Sequence, residues 1–119
     1  MRVNKSILII DDDEIFTGAI QSLLENEGHV VFCCNNGSDA IELSMKRNFD
    51  VVLTDYNMPI MRGDVICRLL RHHHSDAFII GCSIELKEQV FFYAGADAFI
   101  MKDQLVQNLA DLIQSGSTH

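Results

Sequence analysis

The chain has 119 residues, 48% of them apolar, and sets 17 acidic side chains against 9 basic ones for a net charge of −8. At this length one domain around one core is expected, burying roughly 65% of its unfolded surface without a metal or disulfide staple. The acidic excess argues against an electrostatic grip on nucleic acid or anionic lipid.

The N-terminal apolar run, Ile7 to Ile10, is too short for a signal peptide or a membrane span, so a soluble cytoplasmic chain is expected. It reads as a first strand and runs into Asp11, Asp12, Asp13 and Glu14. Ile15, Phe16, Ala19, Ile20, Leu23 and Leu24 then mark a first helix, stopped at Gly28. His29–Cys34 predicts a second strand, and Asn36-Gly37 a turn before a weaker helical stripe of Ala40, Ile41, Ser44 and Met45. Asp50–Asp55 predicts a third strand, followed by a helix on Val65, Ile66, Leu69 and Leu70. Ala77–Ser83 predicts a fourth, with Leu86, Val90, Phe91 and Ala94 as the stripe of the next helix, ended by Gly95. Ala98–Lys102 is the fifth, and Leu105, Leu109, Leu112 and Ile113 close the chain as a helix. Continuous apolar strands alternating with amphipathic helices imply a parallel sheet covered on both faces, an open doubly wound α/β fold.

Cys33, Cys34, Cys67 and Cys82 fit no zinc spacing; the first two point to opposite faces of one strand, and all four read as reduced, mostly buried thiols. His72, His73 and His74 fan around a helix end and suit its partial negative charge better than a metal. The residues after Gln114 read as a tail, leaving an ordered core of about 5–114.

In such sheets the functional crevice lies beyond the carboxyl ends of the strands. Asp11 and Asp12, Asp55, Ser83 and Lys102 stand at four of those ends. Each alone has an ordinary explanation as a helix-start acid, a turn former, a cap or a solvated amine. Together they set several carboxylates in one crevice, where a pKa must rise or a hard divalent cation must bind. The residues alone therefore point to a metal-assisted phosphoryl or anion site.

Three segments carry a resemblance: Ile7 to Asp13; Val51 to Pro59 with Met61 and Gly63; and Gly95 to Lys102. They resemble the receiver domain of two-component response regulators, of the chemotaxis-regulator kind, over nearly the whole chain. The resemblance implies a flavodoxin-like (βα)5 sheet in strand order 2-1-3-4-5 and a single receiver domain over residues 1–119. It implies that Asp55 accepts a phosphoryl group from a sensor histidine kinase or a histidine phosphotransfer protein. Mg²⁺ (or Mn²⁺) would be held by Asp12 and Asp55, by Asp11 through water and by the Asn57 backbone carbonyl. Lys102 and the Ser83 hydroxyl would contact the phosphoryl group, and Phe99 would be the aromatic that follows the switch. Asn57 and Glu85 would tune a fairly short phosphoryl lifetime. A downstream protein would read the fourth helix, fifth strand and fifth helix, and dimerisation on phosphorylation stays open. Such a module is a switch that catalyses only its own phosphorylation and dephosphorylation.

Two features depart from the pattern. Asp103 follows Lys102 where the family has proline after a cis bond, which implies a trans or a strained bond here and a displaced Lys102 or following loop. The interval from Ser83 to Gly95 is about one turn short, so a stunted fourth helix is expected, and Gly81 and Cys82 are small for a central strand. Two other functions compete with the leading one: a pseudo-receiver that binds protein without phosphorylation, and a Mg²⁺-dependent aspartyl phosphatase. Without an output segment, the chain reads either as a single-domain receiver or as one domain of a longer protein.

Overall fold

Apolar runs become strands and amphipathic stretches become helices throughout the computed structural model, which describes residues 4–116. In chain order these are β1 (Ser6–Ile10), α1 (Glu14–Asn26), β2 (Val30–Cys34), α2 (Gly37–Lys46), β3 (Val51–Asp55) and α3 (Gly63–His73). β4 (Phe78–Ser83), α4 (Glu88–Tyr93), β5 (Ala98–Met101), a 3-10 turn at Lys102–Gln104 and α5 (Leu105–Gly116) follow. The strands form one parallel sheet ordered β2-β1-β3-β4-β5, with Ile10 beside Thr54, Thr54 beside Gly81 and Gly81 beside Phe99.

Strand alternation divides the core in two. Ile7, Ile9, Val51, Leu53, Ile80 and Ile100 face α1 and α5, meeting Ile20, Leu24, Leu105, Leu109 and Ile113. Leu8, Ile10, Val52 and Ile79 face α2, α3 and α4, meeting Ala40, Ile66, Leu70 and Phe91. The chain leaves β1 in opposite senses toward β2 and β3, and the crevice opens at that reversal.

Local signals work as their chemistry requires. Asp13 caps α1 by accepting from the Phe16 amide, and Asn36 caps α2 by accepting from the Asp39 amide. Gly28 and Gly95 take positive φ where their helices end. Among the described residues no peptide bond is cis, as expected after Lys102, and α4 is the shortest helix at six residues.

Several sequence expectations change. Ile15 and Ala19 belong to the predicted α1 stripe yet lie exposed one turn apart on the flank of the helix turned away from the sheet, while Thr17 and Ile20 on the same turns are buried. Met45 and Leu69 face solvent, and Leu86 precedes α4 in an exposed bend. Cys33 is exposed and Cys34 half-buried because β2 is an edge strand, whereas Cys67 and Cys82 are buried. All four thiols are free. α5 continues past Gln114 to Gly116, and the expected tail at 117–119 lies outside the described residues. No helix among the described residues is long and apolar enough to cross a membrane.

Candidate functional site

The site is made where β1, β3 and β5 run out. Asp11 continues the ladder past β1, its amide donating to the Cys34 carbonyl at 3.1 Å. Its Oδ1 accepts from the Asp13 amide at 2.9 Å, which fixes the carboxylate, and its Oδ2 lies 2.8 Å from Lys102 Nζ. Asp55 ends β3 on the face that Leu53 uses, and Lys102 follows Ile100 to the same side. That shared parity brings Lys102 Nζ to 3.6 Å from Asp55 Oδ2. The ammonium also stands 4.4 Å above the Phe16 ring, so α1 helps to aim it. The Lys102-Asp103 sequence leaves this placement intact.

Charge here is unbalanced. Carboxylate oxygens of Asp11, Asp12 and Asp55 lie within 4.8 Å of one another, with Asp11 and Asp55 buried and Asp12 exposed. Burial, with the Asp11 charge second, pushes the Asp55 carboxyl up to about 6, against the opposing pull of Lys102. Burial also pulls on the Lys102 ammonium, but its hydrogen bond to Asp11 and the two carboxylates outweigh that and hold its pKa above the ordinary value. An all-oxygen donor set, one edge open to water and a surplus of negative charge suit a hard divalent cation such as Mg²⁺. Among the described residues this is the one cluster of three or more metal-type ligands, and the three histidines are outside it.

The loop after Asp55 is fixed by a close approach. Gly63 donates to the Tyr56 carbonyl at 2.9 Å, and a Cβ on Gly63 would lie 1.9 Å from the Asp55 carbonyl oxygen. Glycine at that position lets α3 begin directly against the end of β3. The Tyr56 amide donates to the Cys82 carbonyl at 2.9 Å, which binds the loop to β4. Ile60 takes φ 70°, an unusual region for a β-branched residue, and stands fully exposed at the rim. Asn57 is exposed on the same loop.

Ser83 is buried at the end of β4, and its Oγ accepts from the Glu85 amide at 3.0 Å, so the hydroxyl is engaged with its own loop. Glu85 itself is exposed, and Phe99 is half-buried beside Phe91. Asp11, Asp12, Asp55 and Lys102 thus converge directly, while Ser83, Glu85, Asn57 and Phe99 flank them. Sequence reasoning missed Phe16, Tyr56 and Lys87. Phe16 looked like core, and Tyr56, with Lys87 Nζ at 4.9 Å and the Arg62 guanidinium at 5.8 Å from its ring, carried no pattern of its own. Only adjacency to Asp55 could have flagged Tyr56.

Residues 7–114 match the response regulator receiver domain family. The transcriptional regulatory protein SrrA of Staphylococcus aureus is 30% identical over 102 residues, covering 84% of this chain and 42% of that protein. The chain spans less than half the length of the curated relatives it matches. The Vibrio cholerae chemotaxis protein CheY4 superposes with a TM-score of 0.89 at 24% identity, covering 95% of this chain and 98% of that one. A Burkholderia pseudomallei response regulator, solved with a phosphorylated aspartic acid, a calcium ion and citrate, gives 0.87 at 24% identity, covering 96% and 69%.

Proposed function

The chain belongs to the response regulator receiver domain family of two-component signalling, and from that premise we propose that it is a phosphorylation switch with Asp55 as acceptor. The observation that carries this reading is the buried Asp55 carboxylate, held beside Asp11 and Asp12 with Lys102 Nζ 3.6 Å away. A phosphohistidine of a sensor kinase or phosphotransfer protein is the donor class. The P–N bond breaks, a P–O bond forms to Asp55, and the imidazole leaves with the electron pair. Asp12 and Asp55, with Asp11 through water and the Asn57 carbonyl, would hold Mg²⁺. When bound, that ion offsets the charge gathering on the phosphoryl oxygens.

The protein's own groups do the rest. Lys102 exchanges part of its Asp11 contact for a phosphoryl oxygen. Ser83 gives up the Glu85 amide and donates its hydroxyl to another, and Phe99 follows. Water later cleaves the acyl phosphate to inorganic phosphate and free Asp55. Asn57 and Glu85 flank that attack, so bulkier side chains at both positions should change the decay rate of the phosphoprotein; an unchanged rate removes them from this role. The downstream partner fits the α4–β5–α5 face, where Phe92, Tyr93 and Val106 are exposed.

The phosphatase alternative needs an Asp-x-Asp arrangement at the first strand and a cap over the substrate; the second acid of that arrangement, Asp13, has its Oδ1 engaged as the cap of α1. Acetyl phosphate with Mg²⁺ should add one hydroxylamine-labile phosphoryl group by intact mass. Asp55→Asn or chelation should abolish it. Labelling that survives Asp55→Asn contradicts the assignment, and absence of labelling in the parent supports the pseudo-receiver instead.

A further inference from the structure

On the α3–α4 side of the sheet, β4 presents Ile79, then Gly81, then Ser83. Gly81 leaves a gap between Thr54 of β3 and Phe99 of β5, directly beneath the residues that end at the site. The gap is filled from outside the sheet. A Cβ on Gly81 would lie 2.2 Å from Cγ of Phe91, whose side chain is fully buried. The Phe91 ring is 6.1 Å from Tyr56, edge to face, and 5.9 Å from Phe99, tilted by 37°. One side chain of α4 therefore touches the residue next to Asp55 and the aromatic of β5, across a hole two residues before Ser83.

The rest of α4 holds it weakly. It has six residues and no side-chain cap at its N-terminus. Val90, Phe92 and Tyr93 are all largely or partly exposed, and among the residues of the helix itself only Phe91 is buried. A helix this short has little stability of its own, so its position depends on the Phe91 ring together with the contacts at its two ends, Lys87 over the Tyr56 ring and the Ala94 carbonyl that accepts from Cys67 Sγ of α3.

We propose that Phe91, seated over Gly81, is the positioning residue that couples the state of Asp55 to α4 through Tyr56 and Phe99. The inference rests on the phosphorylation reading above. Movement of Tyr56 with the acceptor loop, or of Phe99 behind Ser83, takes away one of the two ring contacts, and the helix loosens with it.

Hydrogen exchange on the full chain, with and without acetyl phosphate and Mg²⁺, tests this, with intact mass reporting phosphorylation of the same sample. In the parent, α4 amides should exchange roughly five- to tenfold faster once Asp55 is phosphorylated, the loss of one aromatic contact. In the double variant Gly81→Met with Phe91→Ala, which moves the filling volume from helix to strand, phosphorylation should persist while α4 exchange becomes the same in both states. Phe91→Leu, a milder change that tests the same point if the double variant does not fold, should show a reduced response. A phosphorylated parent with unchanged α4 exchange overturns the proposal, as does a variant that keeps the parent's full response. A parent that takes no phosphoryl group overturns the reading beneath it and this inference with it, and the mass measurement tells the two failures apart.

Discussion

Asp55 carries the heaviest electrostatic burden of any residue at the site. Its carboxyl is pushed up to about 6 in the folded protein by burial and by Asp11, against an ordinary value near 4. The folded state therefore binds the Asp55 proton more tightly than the unfolded state does, and the metal-free protein loses stability as pH rises from about 4 to about 6. Asp55→Asn removes the penalty. In urea titrations without metal it should stabilise the protein by about 1–3 kcal/mol at pH 7 and by almost nothing at pH 4. An equal gain at both pH values contradicts this account. The convergence of Asp11, Asp55 and Lys102 was legible in the sequence because they sit at strand ends, and a sheet of known parity brings strand ends together. The function assigned to Asp13 was not, because acids at a helix start serve equally as ligands or as caps, and only the bond to the Phe16 amide decides.

Elements, not single residues, decide how firmly the site is framed. At the far end of the sheet, Arg71 of α3 donates to the carbonyls of Gly95, His74, Ser75 and Ala77 and pairs with Asp97, whose Oδ2 also accepts from the Ile79 amide. This one guanidinium joins α3, the turn into β4 and the turn into β5. Arg71→Met leaves four carbonyls and a carboxylate to find water, and should cost about 2–4 kcal/mol in urea unfolding while the isolated site chemistry persists. A loss below about 1 kcal/mol would show the clamp to be incidental. Helix periodicity found all five helices, yet it misplaced Ile15, Met45 and Leu86, because a 3.6-residue stripe fixes neither which flank the sheet covers nor the residue at which a helix begins. It also hid the pairing of Phe91 with Gly81: one looked like an ordinary stripe residue and the other like an undersized strand residue, and only packing shows that they complete each other.

For the whole molecule, the net charge of −8 takes on structure. Three of its carboxylates share a few ångströms with one ammonium, so the fold is expected to bind a divalent cation more tightly than the unfolded chain. Stability should rise with Mg²⁺, by about 2.7 kcal/mol at a hundredfold excess over Kd, and Asp12→Asn should weaken the effect. Identical melting temperatures in Mg²⁺ and in chelator would argue against the cation site. The sheet order and the two-layer core followed from alternation and the family resemblance; the engaged Ser83 hydroxyl and the strained, exposed Ile60 depend on loop geometry that no periodic pattern encodes.

Chemical location of the phosphoryl group shows whether Asp55 is the acceptor. After treatment with acetyl phosphate and Mg²⁺, borohydride reduction converts an acyl phosphate to an alcohol that peptide mapping can place. Homoserine is expected at position 55, with Asp11 and Asp12 unmodified. Reduction at either of those residues instead, or a labelled protein with residue 55 unchanged, would contradict Asp55 as the acceptor.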